Sequence, residues 1–267
     1  MKEFRTDTDS ITRKTSWNLV GAYKEIFGNL DDKLYPCLIN DKKVIIGGYN
    51  NWGWDSLDFI NIDGYRSDSF KKNTEKDIVF LGCSQTFGVG VAQNFIWPKV
   101  VLDSIAPNNN LNNLSLISGA TEEIVYNFFK YCNIYNNPGT VFFLMPEIHR
   151  GFEPVLELAQ LRAIQFYQIL EIYCKINNIK LISSTWEIEP VKGSKQSLND
   201  FFDGRFDTFY KVDKQEYAQD INDFMEKNSQ EKYLLVARDK GHMGIAMHHA
   251  TAKFMVEKYL NLTSKQE

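Results

Sequence analysis

Ser84 is the residue in this chain best placed to do chemistry. It follows the apolar run Ile78-Val79-Phe80-Leu81 and sits among small residues, in Gly82-Cys83-Ser84-Gln85-Thr86-Phe87-Gly88. A serine hydroxyl is a weak nucleophile at neutral pH and needs a base within hydrogen-bond reach, itself oriented by a third group. Asp239-Lys240-Gly241-His242 can offer both from one tight loop, with His242 as the base and Asp239 as the carboxylate that fixes the imidazole. The chain has only 4 histidines, which narrows the choice of base. His149 is the rival, whereas His248 and His249 fall in a predicted helix and read as part of a helix face. The plain alternative for Ser84 is a helix N-cap after a strand, and Asp239 and His242 tip the reading toward a nucleophile. Cys83 reads as a small buried hydrophobe.

Two other constellations lead less far. Glu147, Glu187 and Glu189 could supply the carboxylate pair of glycoside hydrolysis, but charged residues at strand ends are commonly just solvated. His248 and His249 are adjacent, so on a helix they point in different directions and do not form the i, i+4 pair of a zinc site. No metal and no cofactor is implied.

The chemically suggestive residues share a position: each follows a predicted strand. The strands are Lys43 to Gly48 near the start, then Ile78 to Gly82, Leu111 to Ile117, Thr140 to Met145, Ile179 to Trp186 and Tyr233 to Ala237. Helical spacing is predicted over Trp17 to Phe27, Asn94 to Ile105, Thr121 to Asn133, Leu156 to Lys175, Ala218 to Lys227 and Ala246 to Leu260. Pro98 is tolerated early in its helix, and Thr121 is the expected N-cap of the next. Residues 187 to 215 lose periodicity and read as a long loop or insertion. Alternating strands and helices with continuous apolar strands imply α/β architecture, a parallel sheet with helices on both faces. Ligands in such sheets bind beyond the carboxyl ends of the strands. That edge is where Ser84, Gly119, Glu147, His149, Trp186, Asp239 and His242 are expected to converge, with Glu147, His149 and Trp186 as substrate-lining candidates.

Composition narrows the class. The 267 residues suit one α/β domain, read as 61 to 262, preceded by an extension over 1 to 60 that packs on it. A net charge of -4 offers no basic footprint, so neither nucleic acid nor an anionic membrane is an expected partner. The first 16 residues carry no hydrophobic core of a signal peptide, and no apolar run has the length of a membrane span. The 4 cysteines, Cys37, Cys83, Cys132 and Cys174, form no Cys-x-x-Cys pair, which points to a reducing compartment and a cytoplasmic protein by default. The same features suit a component of a larger particle such as a phage structure, and the oligomeric state is left open. Trp52 and Trp54 read as a lid over the core edge, with a substrate-stacking wall as the alternative.

Gly82-Cys83-Ser84-Gln85-Thr86-Phe87-Gly88 resembles the nucleophile block of the SGNH/GDSL hydrolases, and Asp239-Lys240-Gly241-His242-Met243-Gly244 resembles that superfamily's closing Asp-x-x-His block. Asn61-Ile62-Asp63-Gly64-Tyr65-Arg66 is similar to a lead-in found in some members. The resemblance implies a flavodoxin-like three-layer α/β/α sandwich with a mostly parallel five-stranded sheet. It implies Ser84 as nucleophile, His242 as base and Asp239 as orienting partner, with the backbone N–H groups of Ser84 and Gly119 as the oxyanion hole. The implied activity is a serine esterase, acetylesterase-like, acting through an acyl-enzyme on a small-molecule or glycan ester. One block departs from the family: where its members carry an asparagine oxyanion donor, this chain reads Met145-Pro146-Glu147-Ile148-His149-Arg150. Neither Pro146 nor Glu147 is a neutral amide donor, and loss of one such donor costs roughly 2.7–4 kcal/mol of transition-state stabilisation. His149 or Arg150 is the available substitute. The alternative implied by that departure is a catalytically impaired SGNH-fold protein with a carbohydrate-binding or structural role.

Overall fold

The computed structural model describes residues 34–39, 42–47, 65–89, 91–116, 119–147, 156–190, 196–229, 234–237 and 242–264, the first two stretches by backbone alone. The predicted helix at Trp17 to Phe27, the two tryptophans Trp52 and Trp54 and the turn Asn61 to Gly64 lie outside them. Near the N-terminus, β1 (Leu34–Ile39) and β2 (Lys42–Gly47) pair antiparallel, Leu34 opposite Gly47 and Ile39 opposite Lys42. Only the second of these strands is read from the sequence. Pro36 in the first removes a ladder donor, which is tolerated on an edge strand and weakens the strand signal.

The main sheet contains β3 (Ile78–Gly82), β4 (Asn112–Asn113), β5 (Thr140–Met145) and β6 (Lys180–Thr185), all parallel, in the order β4-β3-β5-β6. Parallel pairing requires crossovers. These are supplied by α1 (Ser84–Phe87) with α2 (Trp97–Ile105), by α3 (Thr121–Tyr135) and by α4 (Leu156–Ile176). After β6 come α5 (Leu198–Phe202), α6 (Lys214–Lys227) and α7 (Ile245–Thr263).

Side chains alternate across each strand. Val79, Leu81, Val141, Phe143 and Leu181 pack with Ile124, Phe128, Tyr131, Tyr167 and Leu170 from α3 and α4. Ile78, Phe80, Phe142, Leu144 and Ile182 pack with Val101, Leu102, Ala252 and Met255 from α2 and α7. Helices thus cover both faces of a buried parallel sheet, an arrangement compatible with a three-layer α/β/α sandwich. Stacked Phe80 and Phe142, 5.5 Å apart, and Trp97 edge-on to Phe80 at 5.4 Å fill the second layer.

Helix starts follow the sequence at α2 and depart from it at α3 and within the stretch 187 to 215. Pro98 does lie in the first turn of α2. Thr121 is the first residue of α3 rather than its cap: Ala120 precedes the helix, and its N–H donates to Glu123 Oε2 at 3.1 Å. The aperiodic stretch 187 to 215 contains α5, started by Ser197, whose Oγ accepts from Asp200 N at 3.1 Å.

Five strands are expected in the sheet, and four are present among the described residues. Of the run predicted over Tyr233 to Ala237, the described residues 234–237 form only a bridge, Val236 to Met243, antiparallel, and Leu235 and Val236 are each 47% exposed, unlike a strand buried on both faces. Its hydrogen bonds go instead to the closing block: Ala237 N to His242 O and Gly244 N to Leu235 O, both 3.0 Å, and Ala246 N to Leu234 O at 2.9 Å. The free edge of β6 is met by Phe209, in a parallel bridge with Ser183. Ser183 N donates to Thr208 O at 3.0 Å and Tyr210 N to Ser183 O at 2.9 Å. Tyr167 OH reaches both Ser183 Oγ and Thr208 Oγ1, clipping this edge to α4. No helix among the described residues is long and apolar enough to cross a membrane.

Candidate active site

The sheet register aligns three of the predicted positions. Gly82 pairs with Leu144, and Leu144 with Ser184, so these residues form one row across β3, β5 and β6. Two residues further on stand Ser84, Pro146 and Trp186, at the carboxyl edge where such sheets bind ligands. Glu147 follows directly and is half-buried, as is Trp186, while Glu187 beside it is buried.

Ser84 is held by a short, tightly closed turn. It is the first residue of α1, after a single extended residue, Cys83, and it is 2% exposed. Gly82 is required by close approach: a Cβ there would lie 1.9 Å from Thr86 Oγ1 and 2.9 Å from Leu144 O. At the other end Gly88 adopts the left-handed conformation (φ 76°), which disfavours any residue with a Cβ. Its N–H and that of Val89 both donate to Ser84 O, at 3.0 and 3.2 Å. The backbone on either side of the serine is therefore constrained by glycine geometry. Cys83 is fully buried, as a small hydrophobe would be.

The closing block meets this turn through a residue the sequence did not single out. Gln85, 3% exposed, accepts the N–H of Met243 on Oε1 at 2.9 Å. The residue after Ser84 thus holds the residue after His242, across 158 positions of sequence. His242 is half-buried, and its carbonyl is fixed by Ala237 N. Asp239 and His149 lie outside the described residues.

Gly119 follows β4. Leu114 and Leu116 continue that strand's ladder by donating to Phe80 O at 2.8 Å and Gly82 O at 2.9 Å, which carries the segment toward the serine turn. The Gly119 N–H donates to Leu116 O at 3.0 Å, and a Cβ at this position would come within 2.6 Å of Leu116 Cβ.

Behind the turn two nitrogen-bearing side chains are wholly buried, Arg66 and His248. The Arg66 guanidinium, wholly buried, donates to the carbonyls of Phe87, Gly88 and Val91. His248, on α7 and also wholly buried, accepts Trp97 N–H on Nδ1 at 3.2 Å, and its Nε2 has no protein partner. Burial lowers its pKa to about 3, with the charges of Arg66 and His242 acting in the same direction, so the ring is neutral. His249 points elsewhere, against the Phe224 ring at 4.5 Å, as its adjacency to His248 predicts. Among the described residues no cluster of three or more His, Cys, Asp or Glu side chains could hold a metal ion.

The described residues form an α/β protein with a four-stranded parallel sheet, in which a serine turn and a histidine loop are joined at the carboxyl end of the sheet. No family model matches the chain, and no curated protein matches it.

Proposed function

We propose that this protein is a serine-dependent ester hydrolase of the SGNH type. The observation that carries the reading is the Met243 N–H to Gln85 Oε1 hydrogen bond, which ties the loop bearing His242 to the turn bearing Ser84. In this reading Ser84 Oγ attacks the ester carbonyl and its proton passes to His242, with Asp239 orienting the imidazole. The tetrahedral oxyanion takes the N–H groups of Ser84 and Gly119. For Gly119 this requires exchanging Leu116 O, its acceptor in the free protein, for the oxyanion. The alcohol leaves with the proton from His242. Water, deprotonated by the same ring, then releases the acid and restores Ser84.

Small acyl groups on a carbohydrate are the proposed substrate class, with Trp186, Glu147 and His149 lining the approach. That choice rests on the family resemblance and on the half-buried indole at the strand edge. The proposal extends to a hydrolase domain over 61 to 262, with the Thr208–Tyr210 edge taking the place of a fifth strand, to an extension over 1 to 60, and to a cytoplasmic setting without nucleic acid or membrane as partner.

A second reading has its own support: Pro146 and Glu147 offer no neutral amide at the site, and Gly119 N–H already has an acceptor. These favour an impaired SGNH-fold protein that binds carbohydrate or serves a structural role. Turnover of p-nitrophenyl acetate separates the two. The hydrolase reading expects turnover that Ser84→Ala abolishes, and a folded wild-type protein without turnover would leave the second reading standing.

A further inference from the structure

We infer that Arg66 is a positioning residue for Ser84, acting through the backbone of the turn that carries it. The inference rests on Ser84 being the nucleophile. Arg66 is 0% exposed, and a guanidinium is charged at any working pH, so its burial is costly unless its donors are satisfied. Nη1 donates to Phe87 O at 3.0 Å and Gly88 O at 2.7 Å, and Nη2 donates to Val91 O at 2.7 Å. The fork therefore gathers three carbonyls from a five-residue arc just past Ser84. The fixed planar geometry of arginine matches this task, whereas a lysine ammonium is a single point of donors.

The link to the serine is one residue long. The Gly88 carbonyl accepts from Arg66, and the N–H of the same residue donates to Ser84 O at 3.0 Å. Val89 N–H doubles that bond at 3.2 Å. The left-handed Gly88 has no side chain to resist rotation, and the guanidinium packs against the space its missing Cβ would fill, 3.1 Å from Nη1. Arg66 also lies over the Phe87 ring, 5.8 Å from its centroid. Without the fork, the turn keeps its local hydrogen bonds and the Asn113 Nδ2 donation from β4 to Thr86 O at 3.3 Å, and loses the three bonds that hold its far end at Phe87, Gly88 and Val91. A misplacement of about 1 Å at a reacting group costs on the order of 100-fold in rate.

The test compares the wild-type chain with Arg66→Lys and Arg66→Ala. The first keeps a buried cation, so that one variant folds even if the other does not. Two readouts are taken on each: the second-order rate of Ser84 labelling by a fluorophosphonate, and native-state amide exchange at Gly88 and Val89 against Leu181 and Ile182 in β6. Arg66→Lys is expected to label about 10- to 100-fold more slowly and to exchange faster at Gly88 and Val89, with Leu181 and Ile182 unchanged. Adding guanidinium at millimolar concentration to Arg66→Ala is expected to restore labelling in part, which a loss of general stability would not allow. Wild-type labelling rates and wild-type exchange in a folded variant overturn the inference, as does faster exchange without slower labelling. If the wild-type protein is not labelled at all, the nucleophile assignment fails, and the exchange arm still decides whether Arg66 holds the turn.

Discussion

His248 should make this protein acid-sensitive in a way that one substitution removes. The imidazole caps α2 from another element: Nδ1 accepts the N–H of Trp97, the first residue of a helix whose preceding residue, Ile96, has no side-chain acceptor. Protonating Nδ1 would turn that acceptor into a donor facing a donor, in a fully buried site with Arg66 and His242 as like charges. The folded-state pKa of about 3 lies below the ordinary 6.5, so between those values the unfolded chain binds the proton and the folded chain does not. Stability from this group is complete above pH 6.5 and is lost as pH falls toward 3. Each pH unit in that window is worth about 1.4 kcal/mol, so the loss reaches about 2 kcal/mol by pH 5. His248→Asn keeps an acceptor near Nδ1 and does not titrate. Urea melts at pH 7.5 and pH 5.0 are expected to show the wild-type protein losing about 2 kcal/mol more than His248→Asn, a midpoint difference of roughly 0.7 M for a slope near 3 kcal/mol/M. Equal losses in the two proteins would mean that His248 is not the source of the acid sensitivity, as would a His248 resonance that titrates near pH 6.5 in the folded state.

Three further substitutions probe the elements that hold the site. Gln85→Ala leaves Met243 N–H buried without its acceptor and is expected to destabilise by about 1–3 kcal/mol, with a loss of ester turnover larger than the lost stability explains; chemical melts and steady-state kinetics check both. Gly82→Ala forces a Cβ against Thr86 and the Leu144 carbonyl, and about 1–3 kcal/mol of destabilisation is expected in the same melts. Phe142→Ala removes the ring stacked on Phe80 and should cost about 3–5 kcal/mol, measured as a fall in the melting midpoint without change in the far-ultraviolet spectrum.

Much of the architecture is legible in the chain because its signals are local. The apolar runs of β3, β5 and β6 stand out since both faces of each are buried, and α4 and α7 fall within a residue or three of their periodic patterns. What escapes is set by contacts far apart in sequence. Phe209 meets β6 through a bridge one residue long, too short to leave an alternating pattern. Leu234 to Ala237 carries the residue types of a strand, yet its backbone pairs with the histidine block, and half-exposed Leu235 and Val236 have no sheet to cover them. At the site, the positions of Ser84, Glu147 and Trp186 follow from strand ends alone. The clamp by Gln85 does not, because an amide beside a serine has no spacing that announces a partner 158 residues away. His248 was legible as a helix residue, but its burial depends on Trp97 and Arg66 arriving from other parts of the chain.

In the proposed reaction Ser84 is a nucleophile served by the loop of His242. The most direct test of that role is fluorophosphonate labelling of the folded protein followed by peptide mass mapping. A single phosphonyl adduct is expected on the peptide containing Ser84, absent in Ser84→Ala and slowed at least about 100-fold in His242→Ala. No adduct on the folded wild-type protein, or one that persists in Ser84→Ala, would contradict that role.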